Sequence, residues 1–266
     1  MNGELAQVVA LVAHGNAELA GIADASGLEA SNTTFNYVRS ITFEVPARRR
    51  GVRTVDSVHD WLRAASRWKV DRLSLVRGGG VRPVAFANEG GWGMLGHAPG
   101  RVCAWHGSWE VNQAGVDPSD PKPRIWEVDY RAMVEQGGVE PAPVDLEARR
   151  TELVEALTDA RAFASDDAHH LQNFAPWFDE ALEMASNAEP MAPYHPDMLP
   201  EVGYSLEARR LLAMTTRAWV FGGMGSWNDV GFSDGETNER YRAISERLYR
   251  AVIDAVRDAA NAFERP

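Results

Sequence analysis

The chain is poor in several residue types, and each shortage excludes something. A single cysteine, Cys103, among 266 residues rules out an internal disulfide and a cysteine-based zinc site. A lone cysteine in an apolar strand reads as a small buried hydrophobe rather than a nucleophile. Lysine is nearly absent: Lys69 and Lys122 stand among 27 basic residues, so twenty-five are arginines. That bias points to a GC-rich coding sequence, and so to a bacterial source, more than to arginine chemistry. No apolar run approaches the ~20 residues of a membrane span. The opening "MNGELAQVVALVAHGN" lacks a basic region and carries Glu4 among its apolar residues, so it is not expected to be a signal peptide. A cytoplasmic location is expected.

What is present fits a soluble globular protein, with 45% hydrophobic and 24% charged residues. The length suits one large domain or two small ones, with ample core. A formal net charge of -11 argues against nucleic-acid binding driven by phosphate contacts. The one basic run, "ARRRGVR" from Ala47 to Arg53, reads as a solvated strand end or loop.

Hydrophobic periodicity divides the chain into two regions. From Glu4 to Leu19, Leu5, Val8, Val9, Val12 and Leu19 predict an amphipathic helix, with Asn16 in its apolar stripe as a satisfied core amide. "FNYVRSITFEV" predicts a strand ending at Pro46. "TVDSVHDWLRAASRW" predicts a helix with Thr54 as N-cap. "RLSLV", "VRPVAFANE", "RVCAWHGSWEV" and "RIWEVDY" follow as strands, and their short glycine-rich connections favour antiparallel pairing.

"QGGVEPAPVD", from Gln136 to Asp145, has no period and concentrates Gly and Pro. It is the expected linker, at residues 137–145, between a helix-plus-sheet region (1–136) and a helical bundle (146–266). A single domain spanning 1–266 is the alternative, should the first helix pack on the bundle. Leu153, Leu157 and Ala160 mark one helix, and Phe174, Phe178 and Leu182 a second, with Pro176 in its first turn. A third runs from Ser205, and the fourth from Thr237 to Phe263. The predicted fold class is α+β: an N-terminal helix and mostly antiparallel sheet, then about four helices. The four-proline connection "NAEPMAPYHPDMLPEVGYS" is either a packed cover or an exposed partner-binding loop, since long unstructured loops are often functional.

"WVFGGMGSWNDVGF", from Trp219 to Phe232, is the most unusual stretch. It fails the phosphate-loop test, because Gly225 is followed by Ser226 and Trp227 rather than by Lys and a hydroxyl residue. It lacks the strand that precedes a dinucleotide fingerprint, and Ser226 lacks the flanking glycines of a nucleophile elbow. Two readings remain. In one, Gly222 or Gly223 stops a helix and the tryptophans plug the core. In the other, Gly222, Gly223, Gly225, Ser226, Asn228 and Asp229 cradle a ligand or partner against Trp227. "NEGGWGMLGHAPG" is similar. It reads as a long hairpin or wide loop, or as a rim over a pocket carrying Trp92, Glu89 and His97.

Other titratable groups are weaker signals. His106, Ser108 and Glu110 form a line on one strand face, without the direct contact that a nucleophile and its base need. "DDAHH", from Asp166 to His170, completes no metal pattern, and a capping aspartate accounts for it. No metal is indicated and no cofactor is identified.

The sequence therefore favours a protein that acts by binding, as a subunit or accessory of a larger protein complex. A protein partner is expected, and a homo-oligomer is compatible. The alternative is an enzyme or small-ligand sensor with a pocket between sheet and bundle, lined by Trp92, Trp227, Asn228 and Asp229. There Asp229, with Glu89 or His97, would be the acid-base candidate.

Overall fold

The computed structural model describes residues 1–47, 51–78, 90–117, 119–137, 140–222 and 225–265. The fold is α+β. Helix α1 (Gly3–Leu19) and the short α2 (Leu28–Ser31) precede strand β1 (Val38–Pro46). Strand β2 (Val52–Val55), helix α3 (Val58–Arg67) and strands β3 (Arg72–Arg77), β4 (Trp92–Ala98), β5 (Arg101–Val111) and β6 (Trp126–Gln136) follow. Helices α4 (Leu146–Ala164), α5 (Ala175–Glu183), α6 (Leu206–Arg217) and α7 (Gly235–Asn261) complete the order.

The six strands lie in the order β2-β1-β6-β5-β4-β3. Every neighbouring pair is antiparallel except β1 and β6. The whole span from β2 to β5 separates those two in sequence, which gives a parallel pair the long crossover it requires.

One face of the sheet carries the aromatic core. Phe43 stacks on Trp61 of α3 at 4.7 Å and on Tyr130 at 5.1 Å, and Trp105 meets Trp61 edge-on at 5.4 Å. Helix α1 lies against β3 and β4 and also meets α3 and α7. It is buried on nearly every side, from Leu5 through Ala13, where the period predicts an amphipathic helix. The reason is that α3, α7 and residues 33–35 add to the cover that the sheet gives, and an all-round apolar helix is a buried one. The buried cluster runs without interruption from α1 and the sheet into α4, α5, α6 and α7.

Two further elements differ from expectation. Helix α3 is capped by Ser57, whose side chain accepts from Asp60 N at 3.1 Å, while Thr54 belongs to β2. The stretch read as a hairpin or loop around Trp92 is in large part strand β4. Its glycines are hollows for neighbours: a side chain at Gly96 would sit 2.7 Å from the Trp105 ring, and one at Gly93 2.8 Å from His106 Nδ1. The segment "VRPVAFANE", Arg48 to Arg50 of the basic run, Glu89 and Gly223 lie outside the described residues.

Strand β3 ends the sheet, and its outward backbone groups find two asparagine amides instead of another strand. Asn16 of α1 accepts from Leu73 N at 2.7 Å and donates to Leu73 O at 2.9 Å. Asn261 of α7 accepts from Leu75 N at 2.6 Å and donates to Leu75 O at 3.0 Å. Each amide completes the pattern of a paired strand residue and closes an edge that would otherwise be open. Gly15 lets α1 approach, since a side chain there would lie 2.6 Å from Leu73 Cδ1.

Replacing Asn16 by Leu strands both groups of Leu73, and each unpaired buried group costs about 1–3 kcal/mol. The expected outcome for Asn16→Leu is a loss of about 3 kcal/mol in urea unfolding. Asn16→Asp, which keeps the acceptor and loses the donor, should also destabilise the fold.

Candidate functional site

The turn around Trp227 is built as a plug. Helix α6 ends at Arg217, before Trp219 and Phe221, and among the described residues of the turn Gly225 is left-handed, at φ +83°. Trp227 is fully buried, with its edge contacts on Phe174 at 5.3 Å and Phe178 at 5.2 Å, and Phe163 and Tyr241 close by. Its indole N–H donates to Ser245 Oγ at 2.8 Å, and the Tyr241 hydroxyl donates to its carbonyl. Asn228 closes the loop on itself, accepting from Gly222 N at 3.0 Å and Ser226 Oγ at 2.8 Å. Asp229 is exposed beside this turn.

Trp92 is buried at the far end of β4, where Arg77 lies 5.3 Å from its ring and 5.5 Å from that of Tyr249. Arg77 Nη2 donates to the Tyr249 hydroxyl at 2.7 Å, and Phe221 meets Tyr249 at 5.1 Å. The Trp227 stretch thus meets α7 directly at Ser245 and Tyr249, whereas Trp92 is linked to Tyr249 only through Arg77 of β3. Both tryptophans are packing anchors.

His97 lies at the other end of β4 and is 8% exposed. Its Nε2 is 2.9 Å from Ser74 Oγ, which is the spacing of a nucleophile and its base. Ser74 is only 6% exposed, and of the two only His97 reaches the adjoining cleft, so the hydroxyl offers no approach to a substrate. That cleft, of about 830 Å³, lies between the start of β3, the β4–β5 turn, residues 140–144 and the end of α7. Its volume suits a small ligand. Arg72, Asn261 and Phe263 stand on one side of it, and Pro141, Pro143 and Val144 on the other. Sequence reading missed Arg72 and the cleft, because its walls come from four distant segments.

Elsewhere Asp166, His169 and Cys103 have structural settings. Asp166 caps its turn by accepting from Ala168 N at 3.0 Å, and His169 Nδ1 bonds with Phe163 O at 2.8 Å. Cys103 is buried, and burial pushes its thiol up to about 12, far from a reactive thiolate. Among the described residues no group of three His, Cys, Asp or Glu is placed to hold a metal. No helix there is long and apolar enough to cross a membrane.

The proline-rich connection between α5 and α6 is clamped at one point by Asp197. Its carbonyl accepts from Asn32 Nδ2 at 2.6 Å and bonds with His14 Nε2 at 2.9 Å. Its carboxylate accepts from Thr33 N at 2.8 Å and from the Thr33 hydroxyl, which also contacts His195 Nδ1 at 3.2 Å. Met198 and Leu199 are buried beneath it, whereas Met191 and Tyr194 are 65% and 71% exposed. The connection is a cover over one part of its length and an exposed loop over another.

The chain matches no protein-family model, no curated protein and no solved structure at a significance that carries an argument.

Burial lowers the pKa of both His14 and His195 below their ordinary 6.5, although the Asp197 carboxylate opposes the shift. The folded state therefore binds fewer protons than the unfolded one, so this stabilisation is complete above 6.5 and is lost as pH falls through it. The urea midpoint is expected to fall between about pH 7.5 and pH 5.5. The drop should shrink in the double variant His14→Gln with His195→Gln. Glu4 and Glu29, raised by burial, act in the opposite sense, and the variant comparison cancels them.

Proposed function

We propose that the protein acts by binding, as a subunit or accessory of a larger protein assembly, and that the loop around Met191 and Tyr194 meets the partner. One observation carries this reading. The two most exposed large apolar side chains in the described structure stand three residues apart on a loop that is otherwise fixed.

Fixation matters because association is costly when it must also order a loop. Here the base is already held by Asp197 against α1 and residues 32–33. The other end is held by Arg210, whose Nε donates to Asn187 O at 2.8 Å. Pro190, Pro193 and Pro196 restrict the backbone between them. Tyr194 takes a left-handed φ of +72°, a strained conformation for a bulky residue. Strain of that kind persists where surrounding structure over-determines it, and it clusters at functional segments. Tyrosine and methionine are also enriched in interface cores.

The net charge of -11 gives the partner's surface a sign: a basic or neutral face docks without like-charge repulsion. A small-ligand role for the tryptophan stretches has less support, because Trp92 and Trp227 are both buried.

Gentle capture of the tagged protein from its own cells, read by native mass spectrometry, is expected to give discrete added protein masses. The double variant Met191→Ala with Tyr194→Ala should lose them while melting within about 2 °C of the parent, since exposed side chains contribute little to stability. A bare parent chain, or masses retained by the variant, would remove the proposal.

A further inference from the structure

Arg72 lines the cleft beside His97. Its Nη2 donates to the carbonyl of Asn261 at 2.7 Å and its Nε is buried, so Nη1 is the group it can offer the cleft. Among the described residues its side chain makes no ion pair. An arginine held this way has part of its fork unused, and a carboxylate is the group whose geometry completes it.

We infer that the cleft binds a small monocarboxylic acid with an apolar body, its carboxylate on Arg72. The rest of the lining narrows the class. Ala98, Pro99, Pro141, Pro143, Val144 and Phe263 give walls without hydrogen-bond donors in their side chains, which suit a hydrocarbon or aromatic body. Asp71, Glu140 and Glu264 also stand around the cleft, and all three are exposed. Against them only Arg72 and Arg265 are permanently cationic, and the Arg265 Nη2 donates to the Asp71 carbonyl at 2.7 Å. Three carboxylates among two guanidiniums disfavour a polyphosphate or a polycarboxylate, while a single anionic head at Arg72 is accommodated. The cleft's 830 Å³ exceeds what the head alone would fill. The site is independent of the loop that carries the assembly proposal.

The probe is 4-phenylbutanoate, with 4-phenylbutanamide as its uncharged isostere, titrated into the full chain by calorimetry. The acid is expected to bind at least about tenfold more tightly than the amide, as befits one charge-assisted contact. Arg72→Gln should abolish that preference, and Arg72→Lys should keep part of it. Arg72 also holds the last turn of α7, so Arg72→Gln removes a contact of the fold as well. A second variant, Ala142→Trp, places bulk from an exposed wall position into the cleft and should weaken acid and amide alike while the melting temperature holds. Equal affinity for acid and amide, no binding of the acid, a preference that survives in folded Arg72→Gln, or binding unchanged in Ala142→Trp would each overturn the inference.

Discussion

The closed edge of β3 is the constraint on which the rest of the structure depends. A terminal strand exposes alternate N–H and C=O groups, and those of Leu73 and Leu75 are paired by side chains from α1 and α7. The N-terminal and C-terminal helices are thereby fastened to the same strand, 245 positions apart in sequence, reckoned from Asn16 to Asn261. Arg72 adds a bond to the Asn261 carbonyl at the end of α7, whose last turn carries no basic residue of its own. A cation at a helix C-terminus is favoured there. This junction sets the end of α7 beside β3, and the cleft lies between it and the β4–β5 turn.

The aromatic and glycine-rich stretches follow from the same packing problem. A sheet pressed against α1 and α3 has little room between its strands and helices. Trp105 occupies the hollow at Gly96, and the Trp61 ring fits between Phe43 and Trp105. In the helical region Trp227 does the equivalent, reaching from a turn into a nest of phenylalanines with its one polar atom met by Ser245. Aromatic side chains contribute large buried area at a buried tip that must find a partner. Residues that look like a ligand cradle in sequence are, in these two places, a core and its clearances.

On the proposed reading, binding falls to surfaces that this core positions. The loop around Tyr194 is tied at its base, where Asp197 bonds with α1 and residues 32–33, and the cleft is lined by segments distant in sequence. Both are far from each other in sequence logic, and neither uses the tryptophans.

Much of the fold was legible in the residues themselves. Periods of two and of about 3.6 placed β1, β5, β6 and the helices α4 to α7, because local burial patterns repeat with the geometry of each element. Asn16 announced a satisfied amide, since a polar group in an apolar stripe must find partners. Strand β4 was obscured, because glycines at Gly93 and Gly96 imitate a loop when their purpose is to admit a neighbour's ring. The all-round burial of α1, the fate of Trp227 and the placement of Arg72 in the cleft were decided by tertiary structure alone. Each depends on which distant segment covers a side chain, and no local period records that.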